Sequence, residues 1–500
     1  PDRVELAFVV VPAALVNEVA RDCATKGVQS LVVISSGFSE IGEAGAVLQE
    51  ELVSICRNSG MRLIGPNCMG ILNTAPDVGL NGTFGTAWPP VGHVGFMSQS
   101  GALGLAVMEY SAALNLGLSS FVSVGNKADV SGNDLLAYWA DDDNTDAILL
   151  YLESVGNPRR FARLTREIAK KKPIVVVKSG RSKAGKRAAA SHTGSVATSE
   201  VTVDALFAQS GVIRTDTLEE MFDVATLLAN QPAPAGNRVA IITNAGGLGI
   251  MCADSCEANG LQVLPLDAAT VAELESFLPT EASAANPVDM IASAAPKDYA
   301  RTIEVVAADP SVDALIIIYI PPDPSRASEI ASCIKDGIQE VGGRIPILTA
   351  FMSARGLPPE LQGDDVKVPS YRFPEQAAIA LAHAARYGRW RERVEGDFPE
   401  FADLRSDEAT SVIAEALSSG GGWLEPEQVE QLFSCYGLPT AHIRVARTPD
   451  EAGAIADEMH HAVALKAVGA QIVHKTEVGG VRLGLTGAAE VSEAARTMQA

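Results

Sequence analysis

The sequence predicts an α/β protein built from several doubly wound parallel sheets. Three observations carry this. Short apolar runs alternate with longer helical patterns along most of the 500 residues, the arrangement of βαβ units. The strand-to-helix turn at 93–104 returns at 238–249, with strand, Ser/Thr, polar residue, small residue, Gly and helix in the same order, as an internal duplication would give. The composition, 47% hydrophobic with 5% aromatic and 44 glycines, suits layered cores joined by tight turns.

From the amino end, residues 6–11, 30–34 and 62–64 read as parallel strands with helices over 13–26 and 43–59 between them. Such sheets bind ligands at strand carboxyl ends, which here carry Pro12, Ser36-Gly37 and Asn67-Cys68. After Pro89-Pro90 a second unit begins. Its strands are expected at 94–97, 121–124, 147–152 and 174–177, with helices after Gly101, near 134–141 and up to about Lys170. Pro232 to Gly236 reads as a linker, and a third unit follows with strands at 239–243, 262–265, 314–320 and 345–349. The charged, then Ser/Gly-rich stretch 390–422 reads as a second linker. The last segment is expected to hold helices at 426–436 and 449–459, strands at 442–446 and 462–466, and a glycine hairpin around Gly479-Gly480. The chain starts without Met on the way into a strand and stops inside a helical pattern, so it is expected to be a fragment.

The formal net charge is −22, which argues against nucleic acid or an anionic membrane surface as partner. Seven cysteines are scattered without a CxxC pair, so neither a zinc site nor a disulfide framework is indicated, and a reducing cytoplasm is the expected compartment. Apolar runs such as 314–320 fall far short of the about 18 residues a bilayer span requires.

Against that acidity, residues 178–197 form a basic Gly/Ser/Ala stretch with Lys178, Arg181, Lys183, Lys186 and Arg187 ahead of His192. A ring with so little apolar bulk around it suits contact with an anion; the same residues also fit a surface loop that happens to hold a histidine. Each repeated turn, Ser98-Gln99-Ser100-Gly101 and Asn244-Ala245-Gly246-Gly247, opens a helix whose free N–H groups and about half a positive charge attract anions. Ser98, Ser100 and Asn244 are candidate side-chain donors to the same phosphate. Glu153, at the end of strand 147–152, is placed to orient the His192 ring, or else is an acidic residue at a helix start. Lys466 and His474 beside the glycine hairpin suit a nucleotide phosphate clamp, and equally suit surface charge. Nothing near Cys68 lowers its pKa, which favours a buried structural thiol.

Taken together, I-G-P-N-C (64–68), S-Q-S-G-A-L-G (98–104), L-E-S-V (152–155), S-H-T-G-S (191–195), T-N-A-G-G-L-G (243–249), N-P-V-D (286–289) and V-H-K-T-E-V-G-G-V (473–481) resemble the NDP-forming acyl-CoA synthetases, in particular the fused ADP-forming acetate–CoA ligase type of the succinyl-CoA synthetase superfamily. The resemblance implies a Rossmann-like CoA-binding domain over 1–88, a flavodoxin-like domain with the phosphohistidine loop over 91–231, a second flavodoxin-like ligase domain over 236–390, a linker over 391–421 and the start of an ATP-grasp domain over 422–500.

It also implies residue roles. His192 is the phosphohistidine, Glu153 its orienter and His474 a second transient carrier. Ser98, Gln99, Ser100, Gly101, Asn244, Ala245, Gly246 and Gly247 bind phosphate. Pro12, Ser36, Gly37, Asn67 and Cys68 lie at CoA, and Lys466 touches the nucleotide. The implied reaction, acid + CoA + ATP ⇌ acyl-CoA + ADP + phosphate with Mg²⁺, passes through an acyl phosphate and a phosphohistidine. Acetate or a related short acid is the expected substrate, a homo-oligomer the expected assembly, and the metal ligands are expected beyond residue 500. The alternative is a non-catalytic acyl-CoA or ligand-sensing platform of a bacterial protein lysine acetyltransferase, a version that typically lacks the histidine.

Overall fold

The computed structural model describes residues 3–187, 199–353, 358–361, 368–394, 396, 399–469 and 475–499. They fall into two compact units, Pro1–Arg393 and Val394–Ala500.

The first unit opens with three parallel strands, β1 (Leu6–Val9), β2 (Ser30–Val33) and β3 (Arg62–Ile64), in that order across the sheet. Helices α1 (Ala13–Lys26) and α2 (Glu43–Asn58) are the crossovers. Strand β2 buries three consecutive residues, Leu31, Val32 and Val33, because a parallel sheet is covered on both faces. Helix α1 stops at Gly27, whose φ of 81° lets its amide return to the Ala24 and Cys23 carbonyls, the left-handed cap that glycine adopts without steric cost.

The second sheet has seven strands in the order β10-β9-β8-β6-β7-β4-β5. They are β4 (Gly70–Asn73), β5 (Leu80–Thr83), β6 (Val91–Ser98), β7 (Leu118–Ser123), β8 (Ala147–Leu152), β9 (Ile174–Lys178) and β10 (Ile213–Thr215). Helices α3 (Gly101–Ala113), α4 (Gly132–Asp141), α5 (Pro158–Ile168) and α6 (Glu200–Gln209) lie between the parallel members, and α7 (Leu218–Leu228) follows the last of them. The chain runs from β6 out to β7, then back across β6 to β8. The reversal between β6 and β8 is a topological switch point, where such sheets open a ligand crevice.

Strands β4 and β5 were not expected from the sequence. Their Gly and Asn content gives little β-propensity, and β4 is held instead by antiparallel pairing with both β5 and β7. Residues 70–83 are therefore hydrogen-bonded into the second sheet, although the sequence grouped them with the first.

The third sheet repeats the plan with β11 (Val239–Thr243), β12 (Val288–Asp289), β13 (Ala314–Tyr319) and β14 (Ile347–Phe351), ordered β12-β11-β13-β14 and wholly parallel. Helices α8 (Gly246–Ala258), α9 (Ala268–Glu275), α10 (Pro296–Ala307) and α11 (Ala327–Val341) surround it. Its switch point lies between β11 and β13. The strand expected at 262–265 is reduced to one bridge, Gln262 to Arg238.

Helix α12 (Pro374–Arg391) packs on α7 and α8, joining the cores of the second and third sheets. Its run of buried alanines, Ala377, Ala378, Ala380, Ala382, Ala384 and Ala385, permits close approach. Tyr387 donates from its hydroxyl to the Ala169 carbonyl at 2.8 Å and Tyr371 to that of Asp223 at 3.0 Å, so the two buried phenols bring their partners with them.

In the second unit, helix α13 (Ser406–Ser418) occupies much of the stretch expected to be a linker. Asp407 and Glu408 in its first turn suit the helix dipole, and Ala409 and Val412, one turn apart, are its buried face. Helices α14 (Pro426–Cys435), α15 (Pro449–Met459) and α16 (Gly487–Gln499) flank an antiparallel pair, β15 (Val463–Lys466) with β16 (Val481–Leu485). The strand expected at 442–446 does not form. Ile443 is exposed, and no strand lies against it among the described residues.

Candidate active site at the switch-point crevice

Strand β6 ends at Ser98 and helix α3 begins at Gly101, so the two intervening residues form the crevice floor. The buried Ser98 hydroxyl donates to the Ser100 carbonyl at 2.6 Å and accepts the Ser100 amide at 3.1 Å. The third sheet copies this closely. The Thr243 hydroxyl donates to the Ala245 carbonyl at 3.1 Å and accepts the Ala245 amide at 3.0 Å. The expected duplication is thus one turn built twice by the same hydroxyl clamp.

The middle residue of each turn also does one job in both copies. Gln99 accepts the amides of Glu153 at 2.8 Å and Ser154 at 3.0 Å, and donates to the Ser154 carbonyl at 2.8 Å. Asn244 accepts the Ile320 amide at 2.9 Å and donates to the Ile320 carbonyl at 2.7 Å. Each carboxamide ties its turn to the strand across the switch point. The Ser98 hydroxyl proton is spent inside its own turn, which corrects the expectation that it donates to a phosphate, while Asn244 and Gln99 each commit their oxygen and one N–H to the strand across the switch point. Both turns also offer an anion the first-turn N–H groups of α3 and α8, which a helix leaves without intrahelical partners.

The two helix starts differ in one respect. A Cβ on Gly246 would lie 2.7 Å from Asp289 Oδ2, so a carboxylate already stands at the α8 start. A Cβ on Gly101 would meet nothing closer than 3.7 Å. The α3 start is the more open of the two.

Glu153 sits where the sequence placed it, two bonds of Gln99 fixing the peptide on either side. Opposite stands a residue the sequence reading passed over. Lys127, just beyond β7, donates from Nζ to Ser154 Oγ at 2.5 Å. Burial pushes its ammonium pKa down and the charge of Glu153 pushes it back up, with a net lowering. Its signal was the position of Gly125-Asn126-Lys127 at a parallel-strand carboxyl end.

At the first sheet's carboxyl edge, Pro12 caps α1, Ser36 is exposed, and Gly37 has φ 107° with Ala13 Cβ only 2.9 Å from where its own Cβ would be. Only glycine fits there. The Gly37 amide is engaged, donating to Glu40 Oε1 at 2.6 Å. Burial raises the Glu40 carboxyl, but Asn126 and the backbone amides outweigh it and hold the pKa below the usual carboxylate range. Asn126 links the groups, donating to Glu40 at 2.6 Å and Gln49 at 2.9 Å and accepting from Asn67 at 3.3 Å. Cys68 is 4% exposed, donates its thiol to the Val33 carbonyl at 3.3 Å, and is pushed up to about 12 by burial.

Strand β9 leads to the basic stretch. A cleft of about 760 Å³ at its end is lined by Lys178, Gly180, Arg181, Ser182, Glu200 and Asp216 among others. The local positive charge is partly answered by acids: Lys178 faces Glu200 at 3.6 Å, Arg214 binds Glu200 at 2.5 Å, and Arg181 pairs with Asp216. His192 lies outside the described residues, as does His474. Lys466 ends β15 on the exposed side of the hairpin that the Ala467 amide closes on the Gly480 carbonyl at 2.8 Å. Among the described residues no group of three or more His, Cys, Asp or Glu comes together to hold a metal. No described helix is long and apolar enough to cross a membrane.

Two doubly wound sheets with matched anion-facing turns, next to a third sheet with its own strand-end crevice, define an acyl-CoA synthetase architecture. Four family models match in the same order: a CoA binding domain over residues 1–74, a succinyl-CoA ligase like flavodoxin domain over 91–228, a ligase-CoA domain over 239–351 and an ATP-grasp domain over 415–500. The chain is 38% identical over 493 residues to acetate–CoA ligase (ADP-forming) I of Archaeoglobus fulgidus, covering 97% of this chain and 69% of that protein. It is 43% identical over 391 residues to the alpha subunit of acetate–CoA ligase (ADP-forming) II of Pyrococcus furiosus, covering 75% and 85%. It is 31% identical over 504 residues to the 4-hydroxybutyrate–CoA ligase (ADP-forming) of Nitrosopumilus maritimus, covering 100% and 71%. Among solved structures, the acetyl-coenzyme A synthetase 1 of Ca. Korarchaeum cryptofilum in complex with phosphate and ADP superposes with a TM-score of 0.73 at 37% identity, over 78% of this chain and 84% of that one.

The chain belongs to the ADP-forming acyl-CoA synthetases. It is an acid–CoA ligase of the ADP-forming type, acting with CoA and ATP/ADP; the sensing-platform alternative is not favoured.

Proposed function

We propose that the acid is acetate or a related short acid and that His192 carries the phosphoryl group. The γ-phosphoryl group of ATP passes to a His192 ring nitrogen as ADP leaves. It passes next to the acid's carboxylate, giving an acyl phosphate and freeing the ring. The CoA sulfur then attacks the acyl carbon, the C–O bond to phosphate breaks, and inorganic phosphate leaves with the thiol proton. Splitting one demanding condensation into phosphoryl and acyl transfers lowers each barrier.

The observation that supports this reading is the open α3 start, with the backbone of Glu153 tied by Gln99 to the turn that opens the helix. Glu153 orients His192, the first-turn amides of α3 and α8 bind the phosphate, and the Pro12, Ser36 and Asn67 edge takes CoA. Lys466 serves the nucleotide, and His474 is a second transient carrier of the phosphoryl group on its way to His192. Mg²⁺ would accompany that nucleotide, with ligands outside the described residues. Among the relatives named above, two are acetate–CoA ligases and one a 4-hydroxybutyrate–CoA ligase, which supports a short acid. A cytoplasmic homo-oligomer completes the reading. In the intact ligase, His192→Asn should abolish CoA-dependent ADP formation; appreciable turnover in that variant would assign the phosphate to another residue.

A further inference from the structure

We infer that Lys127 is a positioning residue of the transfer site, one that neutralises Glu153 and pins the Glu153-Ser154 turn so that a phosphoryl dianion can lie at the α3 start beside a carboxylate. The inference rests on the crevice being the phosphoryl site.

The sheet order supplies the geometry. Strand β6 lies between β7 and β8, and Ser98 at its end is in register with Ser123 on one side and Tyr151 on the other. Lys127 follows β7 and Ser154 follows β8, so the bond from Nζ to Ser154 Oγ at 2.5 Å passes over the end of β6, where α3 begins. Two strand spacings are roughly 10 Å, a distance that a lysine side chain and the strand-end loops cover together.

The turn that bears Lys127 is held on its other side. The Lys127 amide donates to the Val124 carbonyl at 3.0 Å, that of Asn126 to Pro66 at 3.0 Å and that of Ala128 to Gly65 at 3.2 Å. Lys127 itself stands at φ 57°, a left-handed backbone that disfavours any side chain with a Cβ. A lysine is kept where a glycine would be easier, and its ammonium is drawn into a half-buried crevice at a cost in hydration.

Glu153 is the charge that offsets this cost. The converse also holds. A bare carboxylate beside the α3 start would repel an incoming phosphate through the low dielectric of the crevice. A cation held on Ser154, the next residue, offsets that repulsion. Gln99 fixes the Glu153 backbone, and Lys127 supplies the charge.

The test uses the intact ligase with Lys127→Met and Lys127→Arg. ADP-dependent acyl-CoA cleavage is followed against phosphate concentration. Lys127→Met should lower kcat about 30-fold and raise the KM for phosphate about 10-fold, with the nucleotide KM unchanged. Lys127→Arg should return most of the rate and the parental phosphate KM. A Lys127→Met enzyme with the parental kcat and phosphate KM would overturn the inference. So would equal losses in both variants together with a lowered melting temperature, since that marks a packing role. A parent enzyme that makes no acyl-CoA from phosphorylated intermediates would instead refute the proposed function, and the two failures are distinguishable.

Discussion

Replacing Gln99 by leucine keeps the side chain's bulk and removes its carboxamide. Three backbone groups then lose their partners: the Glu153 and Ser154 amides at 2.8 and 3.0 Å and the Ser154 carbonyl at 2.8 Å. Gln99 is buried, so water reaches these groups only if the turn opens. An unsatisfied buried backbone group costs about 1–3 kcal/mol. Partial opening towards the crevice recovers some of this, leaving a destabilisation of roughly 2–5 kcal/mol for the three. The functional effect should exceed what unfolding explains. Glu153 is held through its peptide, and a shift of about 1 Å at a reacting centre costs on the order of 100-fold in rate. The assay pairs urea unfolding with acid-dependent ADP formation at a temperature where the variant is folded. The expected result is a lowered urea midpoint and kcat down about 100-fold with KM for CoA little changed. A Gln99→Leu enzyme with parental stability and kcat would show that the carboxamide bridge holds nothing the reaction needs.

Two further outcomes follow from the same structure. Cys68, with its pKa pushed up to about 12 and its thiol on the Val33 carbonyl, should resist a thiol-specific disulfide reagent at pH 8 in the folded protein and react once unfolded; fast labelling of the native state would contradict its burial. Asp313 accepts Arg238 Nε at 2.9 Å, Nη2 at 2.7 Å and the Arg238 amide at 3.0 Å. Burial raises its carboxyl pKa, but those bonds outweigh burial and the net shift is downward. The stabilisation is therefore complete above the unfolded pKa of about 4 and is lost as pH falls through the lower folded value. Asp313→Asn should cost about 1–2 kcal/mol at pH 7, a figure reduced for the part-exposed Arg238, and much less near pH 2–3; equal cost at both pH values would refute the assignment.

Much of the fold could be read from the chain because its main elements are locally consistent. The buried runs of β8, β9, β11 and β13 are each at least five residues of nearly pure apolar character, and the two glycine turns announce their helices. Strands β4 and β5 were hidden because their stability comes from partners distant in sequence. Helix α13 was hidden because its charged, Ser-rich surface resembles a linker until Ala409 and Val412 find a neighbour. At the site, backbone positions were legible and side-chain commitments were not. Ser98, Gln99 and Asn244 look like free donors in the sequence, and only the fold shows Ser98 turned back on its own turn and the two carboxamides bonded to the neighbouring strand end. Lys127 was missed because its role depends on crossing a strand that precedes it by some thirty residues.

The most direct measurement is the site of phosphorylation. Intact ligase incubated with acetyl-CoA and inorganic phosphate, without ADP, is digested under neutral conditions and its acid-labile phosphopeptides are located by tandem mass spectrometry. Phosphate is expected on His192 and should be lost on Glu153→Gln or His192→Asn. Phosphate on a different residue, or full acyl-CoA turnover with none on His192, would contradict it.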